Sequence, residues 1–384
     1  MFDPRRSGPL ERVTAPPYDV ISDVRRRELL EGSPFNVVHV DLAEGHDDPR
    51  HPGSRYRRAA TLLDGWRSAG VLVREPRAFH YLYEMTAETA AGPVRVRGLL
   101  TAMDLDPEHG PVLPHERVMA GPVEDRLQLL RATRTQLSAV YGIVDGPDAG
   151  FTRAIRPRGG RPFIDLVDEQ AVRHRLWRIQ GVPAQTLRAG SILIADGHHR
   201  YATALAYREE RRADDGPGPW DRLLVLAVDA DGDGAAIAPF HRVQLRGPAP
   251  TGGTPVSNLD AAIAAVTDAP ARVATATLEE GAMRYRVLPL GGDPPAVRAL
   301  HEGPLRPVDR DGALRFVSDA ARADAAVRGG DAVAAWILPP TTPDRIRSLA
   351  ARGELMPRKS TYFWPKPRTG MVMMPLGSDD GPSR

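Results

Sequence analysis

A mixed α/β (α+β) fold is what this sequence predicts, and three observations carry the prediction. Short apolar runs bounded by glycine and proline read as strands. Between them lie segments whose apolar residues recur at helical spacing. The chain has no cysteine, so packing alone must close it, and its 384 residues are enough for more than one core. Changes of pattern suggest an N-terminal α/β region over residues 1–150, a core over 151–247 and a C-terminal α/β region over 248–384.

The elements follow in order. "PYDVISDVRRRELLEGSPFNVVHVDL" predicts a loop, a helix starting near Ser22 or Asp23, a turn at Gly32 to Pro34, and a strand ending near Leu42. Ala59, Leu62, Leu63 and Trp66 share a helical face that stops at Gly70. "AFHYLYEMTA" and "VRVRGLLTAMDL", parted by Gly-Pro, form a hairpin. "PVEDRLQLLRATRTQLSAVYGIV" is a helix running into a strand, and "FIDLVDEQAVRHRLWRI" is either paired strands or a short helix and a strand. "SILIADGHHRYATALAYREE" is a buried strand, a polar corner and a helix. In "DRLLVLAVDADGDGAAIAPFHRVQL" the aspartates alternate as in a calcium loop. Phe240 stands where the bidentate acid belongs, so a hairpin turn is expected. Beyond Pro248 come a helix over Leu259 to Thr267, strands at "MRYRVLPL" and "VAAWILPP", and a helix capped by Thr342.

Composition excludes several functions. Without cysteine there are no disulfides, thiolate zinc sites or iron-sulfur clusters. The N-terminus lacks an apolar leader, and no apolar run is long enough to span a bilayer, so a cytoplasmic protein with no membrane partner is expected. Net charge is only +2, with the basic residues scattered, which argues against a nucleic-acid partner. Lysine occurs only at Lys359 and Lys366, arginine supplying every other cation, so both lysines invite a question.

Three clusters carry chemistry. In "IADGHHR", Asp196 to Arg200 lie at a strand's C-terminal end and a helix's first turn, where open α/β sheets bind ligands. A helix N-terminus suits a phosphate, and Gly197 permits close backbone approach. Arg200 can clamp phosphate oxygens, His198 and His199 can hold phosphate or a substrate carboxylate, and Asp196 can carry Mg²⁺ or orient a hydroxyl. The plain alternative is a helix cap with surface histidines. Adjacent side chains diverge, so the two histidines are not expected to share a metal. In "LPHERVM", Glu116 is a candidate general base beside His115, and no second histidine makes a zinc-protease helix. Asp125 and Arg126 read as a local ion pair. In "MPRKSTYFWPKP", Lys359, Ser360 and Thr361 offer an ammonium and hydroxyls beside aromatics, without the glycines of a Walker loop. His241 and Arg242 in "PFHR" are further candidates for phosphate or carboxylate, and Tyr18 and Asp19 sit on a proline-rigid loop.

The motifs "APPYDVIS", "LPHE" followed by "EDRLQLL", "LIADGHHRYATAL", "PFHR" and "MPRKSTYFWPKPRTG" occur in this order. With them the chain resembles the bacterial and archaeal family catalogued as domain of unknown function 1015. The "DGHHR" box is similar to that of the ParB/sulfiredoxin superfamily, in particular the free-serine kinases. That resemblance implies a ParB/sulfiredoxin-like core with additional α/β elements. In sulfiredoxins the box ends in Cys-His-Arg, and His198 stands in place of that cysteine, so sulfinic-acid repair is not implied. What is implied is a phosphotransferase using Mg²⁺ and a nucleoside di- or triphosphate, ATP favoured, on a small hydroxylated metabolite such as free serine. Catalysis would fall to Glu116 as base with Asp196 and His198. Binding would fall to Gly197, His199, Arg200, His115, Lys359, Ser360, Thr361, His241 and Arg242. A phosphatase or nucleotide hydrolase would use the same parts in reverse, and a ParB-like nucleotide switch is the non-enzymatic alternative. A homo-oligomer is compatible with all three.

Overall fold

The computed structural model describes residues 1–43, 53–89, 92–105, 112–181, 187, 191–230, 236–267, 269, 271–290 and 296–377. The chain forms two compact units that do not follow sequence order. Unit 1 comprises Met1–Leu113, Val118–Ala235 and Pro365–Arg384; unit 2 comprises Pro114–Arg117 and Ala236–Trp364.

Unit 1 opens with helices α1 (Pro4–Ser7), α2 (Leu10–Val13), α3 (Asp23–Gly32), α4 (Val38–Asp41) and α5 (Ser54–Ser68). Ser22 caps α3 by accepting from the Arg25 amide, as its position before the apolar run suggests. The expected strand ending near Leu42 is instead the single helical turn α4. Asn36 explains the change, because its Oδ1 accepts the Val38 amide at 3.0 Å while its Nδ2 donates to the carbonyls of Arg12 and Thr14. A side chain that bonds backbone on both sides overrides the strand preference of the valines. Val37, Val38 and Val40 then bury against Leu63 and Trp66 of α5.

The remainder of unit 1 is a mixed sheet of β1 (His80–Thr89), β2 (Gly92–Asp104), β3 (Val112–Leu113), β5 (Val140–Asp145), β6 (Ile164–Val167), β7 (Arg173–Ile179), β8 (Ser191–Asp196) and β9 (Arg222–Asp229), with β4 (Thr135–Gln136) pairing separately with Met374–Pro375. The order is β3-β8-β5-β9-β2-β1-β7-β6, with β3/β8 and β5/β9 parallel. The helices are α6 (Ala120–Thr133), α7 (Ala149–Ala154) and α8 (His198–Asp215). The β1/β2 hairpin and the paired strands β6/β7 match the alternating patterns in the sequence. A Cβ at Gly142 would lie 2.6 Å from Ile192, so only glycine lets β5 and β8 approach this closely.

In unit 2, β10 (Ala236–Ala238) pairs with β17 (Tyr362–Trp364). An antiparallel sheet holds β11 (His241–Gln244), β12 (Thr254–Val256), β13 (Arg272–Glu279), β14 (Ala282–Pro289), β15 (Leu314–Val317) and β16 (Ala334–Ile337) in the order β12-β14-β13-β16-β11-β15. Helices α9 (Leu259–Thr267), α10 (Ala296–Glu302), α11 (Arg306–Arg310), α12 (Ala320–Arg328) and α13 (Pro343–Ala351) complete it. Thr342 caps α13 as expected. The hairpin expected across "DADGDG" does not form: β9 joins the sheet of unit 1 and β10 pairs with β17, while residues 231–235 of the turn lie outside those described. Both flanking runs are apolar, and each found a better partner elsewhere.

Candidate functional site

The strand–glycine–helix corner of unit 1 has the form the sequence suggested. β8 ends at Asp196, Gly197 has φ +98°, and α8 begins at His198. A side chain at Gly197 would be strained by that φ and would place its Cβ 3.0 Å from the Arg200 guanidinium. Asp196 is not a helix cap, since Gly197 holds that position without a side-chain bond. Its carboxylate is buried and lies between two cations: Arg200 Nη2 donates to Oδ2 at 2.5 Å, and Lys366 Nζ donates to Oδ1. Arg200 is itself steered by Ser138 Oγ at 3.0 Å and by the Ala139 carbonyl. His198 is buried, whereas His199 is half-buried and accepts the Met119 amide through Nε2 at 3.1 Å, which leaves its proton on Nδ1.

This arrangement can receive an anion. Two cations converge on the first turn of an eighteen-residue helix whose N-terminus carries partial positive charge. It does not fit the Mg²⁺ expected on Asp196. Both carboxylate oxygens are engaged by cations, and among the described residues no group of three or more His, Cys, Asp or Glu is placed to hold a metal. An ion on Asp196 would have to compete with Lys366 or Arg200 for the carboxylate, so no protein-held metal is assigned.

Unit 2 gathers the other expected residues by itself. His115 Nε2 and Thr361 Oγ1 are hydrogen-bonded at 2.9 Å across 246 residues of sequence. Glu116 forms a parallel bridge with Met356, and its Oε2 accepts the Ser360 amide at 3.3 Å. Ser360 Oγ donates to the Pro357 carbonyl. Lys359 holds a left-handed φ of +53°, unusual for a side chain of this kind, and its Nζ sits 5.4 Å from the centroid of the Phe240 ring.

Arg242 is fully buried with no carboxylate directly on its guanidinium among the described residues. Nε donates to His301 Nε2 at 3.0 Å, Nη1 to the Phe240 carbonyl, and Nη2 to the Arg358 carbonyl at 3.3 Å. Burial pushes its pKa down to about 9, opposed first by the charge of Glu116 and then by Asp309. A buried cation satisfied mainly by neutral acceptors is suited to meeting an anion. His241 is committed to the fold: its Nδ1 accepts the Leu338 amide at 3.2 Å, and burial, then Arg242, lower its pKa to about 4. It is a neutral imidazole at physiological pH.

The sequence grouping of the two lysines hides a division. Lys359 belongs to unit 2 and Lys366 to unit 1. Lys366 was not among the expected site residues, although the rarity of lysine in an arginine-rich chain was the available signal. Asp41 was also passed over, and Arg126 does more than pair with Asp125. It donates to the Asp41 side chain at 2.9 Å and to the Asp41 carbonyl at 2.7 Å, and it packs on the Tyr18 ring.

Fold and site thus define a mixed α/β protein with a corner in unit 1 where Arg200 and Lys366 meet Asp196, and a buried arginine cluster in unit 2. The profile of the family described as "Protein of unknown function (DUF1015)" matches residues 2–279, and the chain belongs to that family. No curated protein matches. Among solved structures the chain is similar to a free serine kinase in complex with AMP, at 14% identity and a TM-score of 0.41, covering 68% of this chain and 86% of that one. It is also similar to C-terminally truncated SbnI from Staphylococcus aureus, at 13% identity and a TM-score of 0.37, covering 72% and 87%. A conserved hypothetical protein from Pyrococcus furiosus gives 14%, 0.36, 68% and 89%. At TM-scores this low the functional reading rests on this chain's own residues.

Proposed function

We propose that the chain is a nucleotide-dependent phosphotransferase acting on a small hydroxylated metabolite, with free serine or a serine-like amino acid as the favoured acceptor and ATP as the favoured donor. The observation that carries the reading is the corner of unit 1, where Arg200 and Lys366 flank Asp196 at the N-terminus of α8. Phosphoryl transfer asks mostly for positioning and charge stabilisation, and this corner can supply both. Asp196 keeps the two cations in place, and His199 on the same first turn is assigned to phosphate binding. Mg²⁺ is taken to arrive with the nucleotide as its counter-ion and is given no protein ligand here.

In the reaction the acceptor hydroxyl oxygen bonds to the terminal phosphorus, the bond to the bridging oxygen breaks, and the nucleoside diphosphate leaves. Glu116 is assigned as the base that takes the hydroxyl proton, with the Ser360 amide orienting it, and Lys359 and Arg242 are assigned to neutralise charge. Titration of the full chain with ATP, followed by turnover with L-serine, tests these roles separately. Arg200→Ala should weaken ATP binding at least tenfold, and Glu116→Gln should keep ATP binding while turnover falls a hundredfold or more. If both variants turn over as the parent does, the proposal fails. Release of inorganic phosphate from phosphoserine, with no nucleotide consumed when serine is present, would instead establish the phosphatase direction.

A further inference from the structure

Unit 1 contains a cavity that adjoins the phosphate corner through Arg200 and extends beyond it. Tyr18, Asp41, Arg126, Ser138, Arg200 and Thr203 supply polar lining, and most of the remainder is aliphatic. The cavity offers about 60 Å³ to the centres of water-sized groups, room for about five waters.

Its polar groups are built but incompletely satisfied. Asp41 is buried and accepts Arg126 Nη1 through Oδ1; among the described residues its other carboxylate oxygen has no hydrogen-bond partner. Burial raises the pKa of Asp41 against the pull of Arg126, so a second donor would stabilise the charged form. The Tyr18 hydroxyl likewise has no partner among the described residues, and burial keeps it protonated and able to donate. Ser138 Oγ accepts from Arg200, which leaves its own proton to give. Cationic and anionic groups therefore line one small space, with an Asp41 oxygen that has no protein partner among the described residues and hydroxyl donors beside two guanidinium groups.

We infer that this cavity is a binding site for a small zwitterion, a free α-amino acid of glycine, alanine or serine size, which shares Arg200 with the phosphate corner. The ammonium would donate to the second oxygen of Asp41. The carboxylate would accept from the hydroxyls of Ser138 and Tyr18 in the field of Arg126 and Arg200. An apolar wall and the limited volume select against larger side chains.

The test is calorimetric titration of the full chain, without nucleotide, using glycine and L-alanine, which have no hydroxyl and cannot be phosphoryl acceptors. Both should bind saturably. Lactate, which lacks the ammonium, and L-phenylalanine, which exceeds the volume, should bind at least tenfold more weakly. Asp41→Asn should abolish the binding; because a buried substitution can disturb folding, Tyr18→Phe is measured beside it and should weaken binding severalfold with an unchanged circular dichroism spectrum. Absence of saturable binding of glycine and alanine overturns the inference, as does equal binding of lactate or unchanged affinity in both variants. Since neither probe can accept a phosphoryl group, this outcome is independent of whether nucleotide is turned over.

Discussion

Lys366 and Arg200 share one buried carboxylate, and that shared partner makes each of them testable. Removing Lys366 leaves Asp196 desolvated with one cation, so Lys366→Met should lower the unfolding free energy by about 3 kcal/mol, measured by urea denaturation. Histidines give a second residue-scale prediction. His241 and His301 have pKa values near 4 through burial, with Arg242 as the next cause for both. Above the ordinary histidine pKa both states are neutral and these residues contribute nothing to the pH dependence. As pH falls from about 6.5 toward 4 the unfolded chain takes up protons that the folded chain refuses. Each residue should then cost about 3 kcal/mol over that window. Urea midpoints at pH 7 and pH 4.5 measure the loss, and His301→Gln should flatten it. The polar corner was legible because Asp, Gly, His and Arg adjoin in sequence, and the rarity of lysine marked Lys359 and Lys366. The pairing of Lys366 with Asp196 was not legible, because 170 residues separate them and no local pattern encodes their contact.

At the scale of elements, local chemistry explains both successes and the failures. Helical spacing placed α5, where one-sided burial leaves a 3.6-residue signature, cap residues placed α3 and α13, and α6, α8 and α9 were also read as helices. Helical spacing missed α4, where valines in alternation imitate a strand and a single asparagine decides otherwise. Asn36→Ala should therefore destabilise unit 1 by about 2 kcal/mol, since it leaves the buried Val38 amide without a partner and takes one donor each from the Arg12 and Thr14 carbonyls. A matching loss in thermal unfolding, with an intact unit 2, is the expected result. The failed hairpin at "DADGDG" has a different cause. Turn residues flanked by apolar runs are a necessary sign of a hairpin, but strand partnership is decided by whatever sheet edge each run meets.

For the whole molecule, the consequential feature is that unit 1 is closed by its distant C-terminal segment. Arg368 is buried and bonds Thr14 through Nε at 2.9 Å and through Nη2 to the carbonyl at 2.9 Å, Met374–Pro375 pairs with Thr135–Gln136, and Leu376 lies in a core cluster with Leu127 and Trp220. A chain ending at Trp364 should lose cooperative unfolding of unit 1, read by the loss of its amide protection in hydrogen exchange. Among the described residues no helix is long and apolar enough to cross a membrane. The mixed α/β class was legible from patterning, whereas the interleaving of the two units was not, because contacts across such sequence distances leave no periodic trace.

The central claim is that this chain moves a phosphoryl group from a nucleotide to a small hydroxyl compound. Phosphorus NMR of the full chain with ATP, Mg²⁺ and L-serine tests it most directly. The account predicts a growing phosphomonoester resonance that matches added phosphoserine, in step with ADP and absent without serine. An unchanged ATP spectrum with serine, homoserine and related hydroxylated amino acids would contradict it.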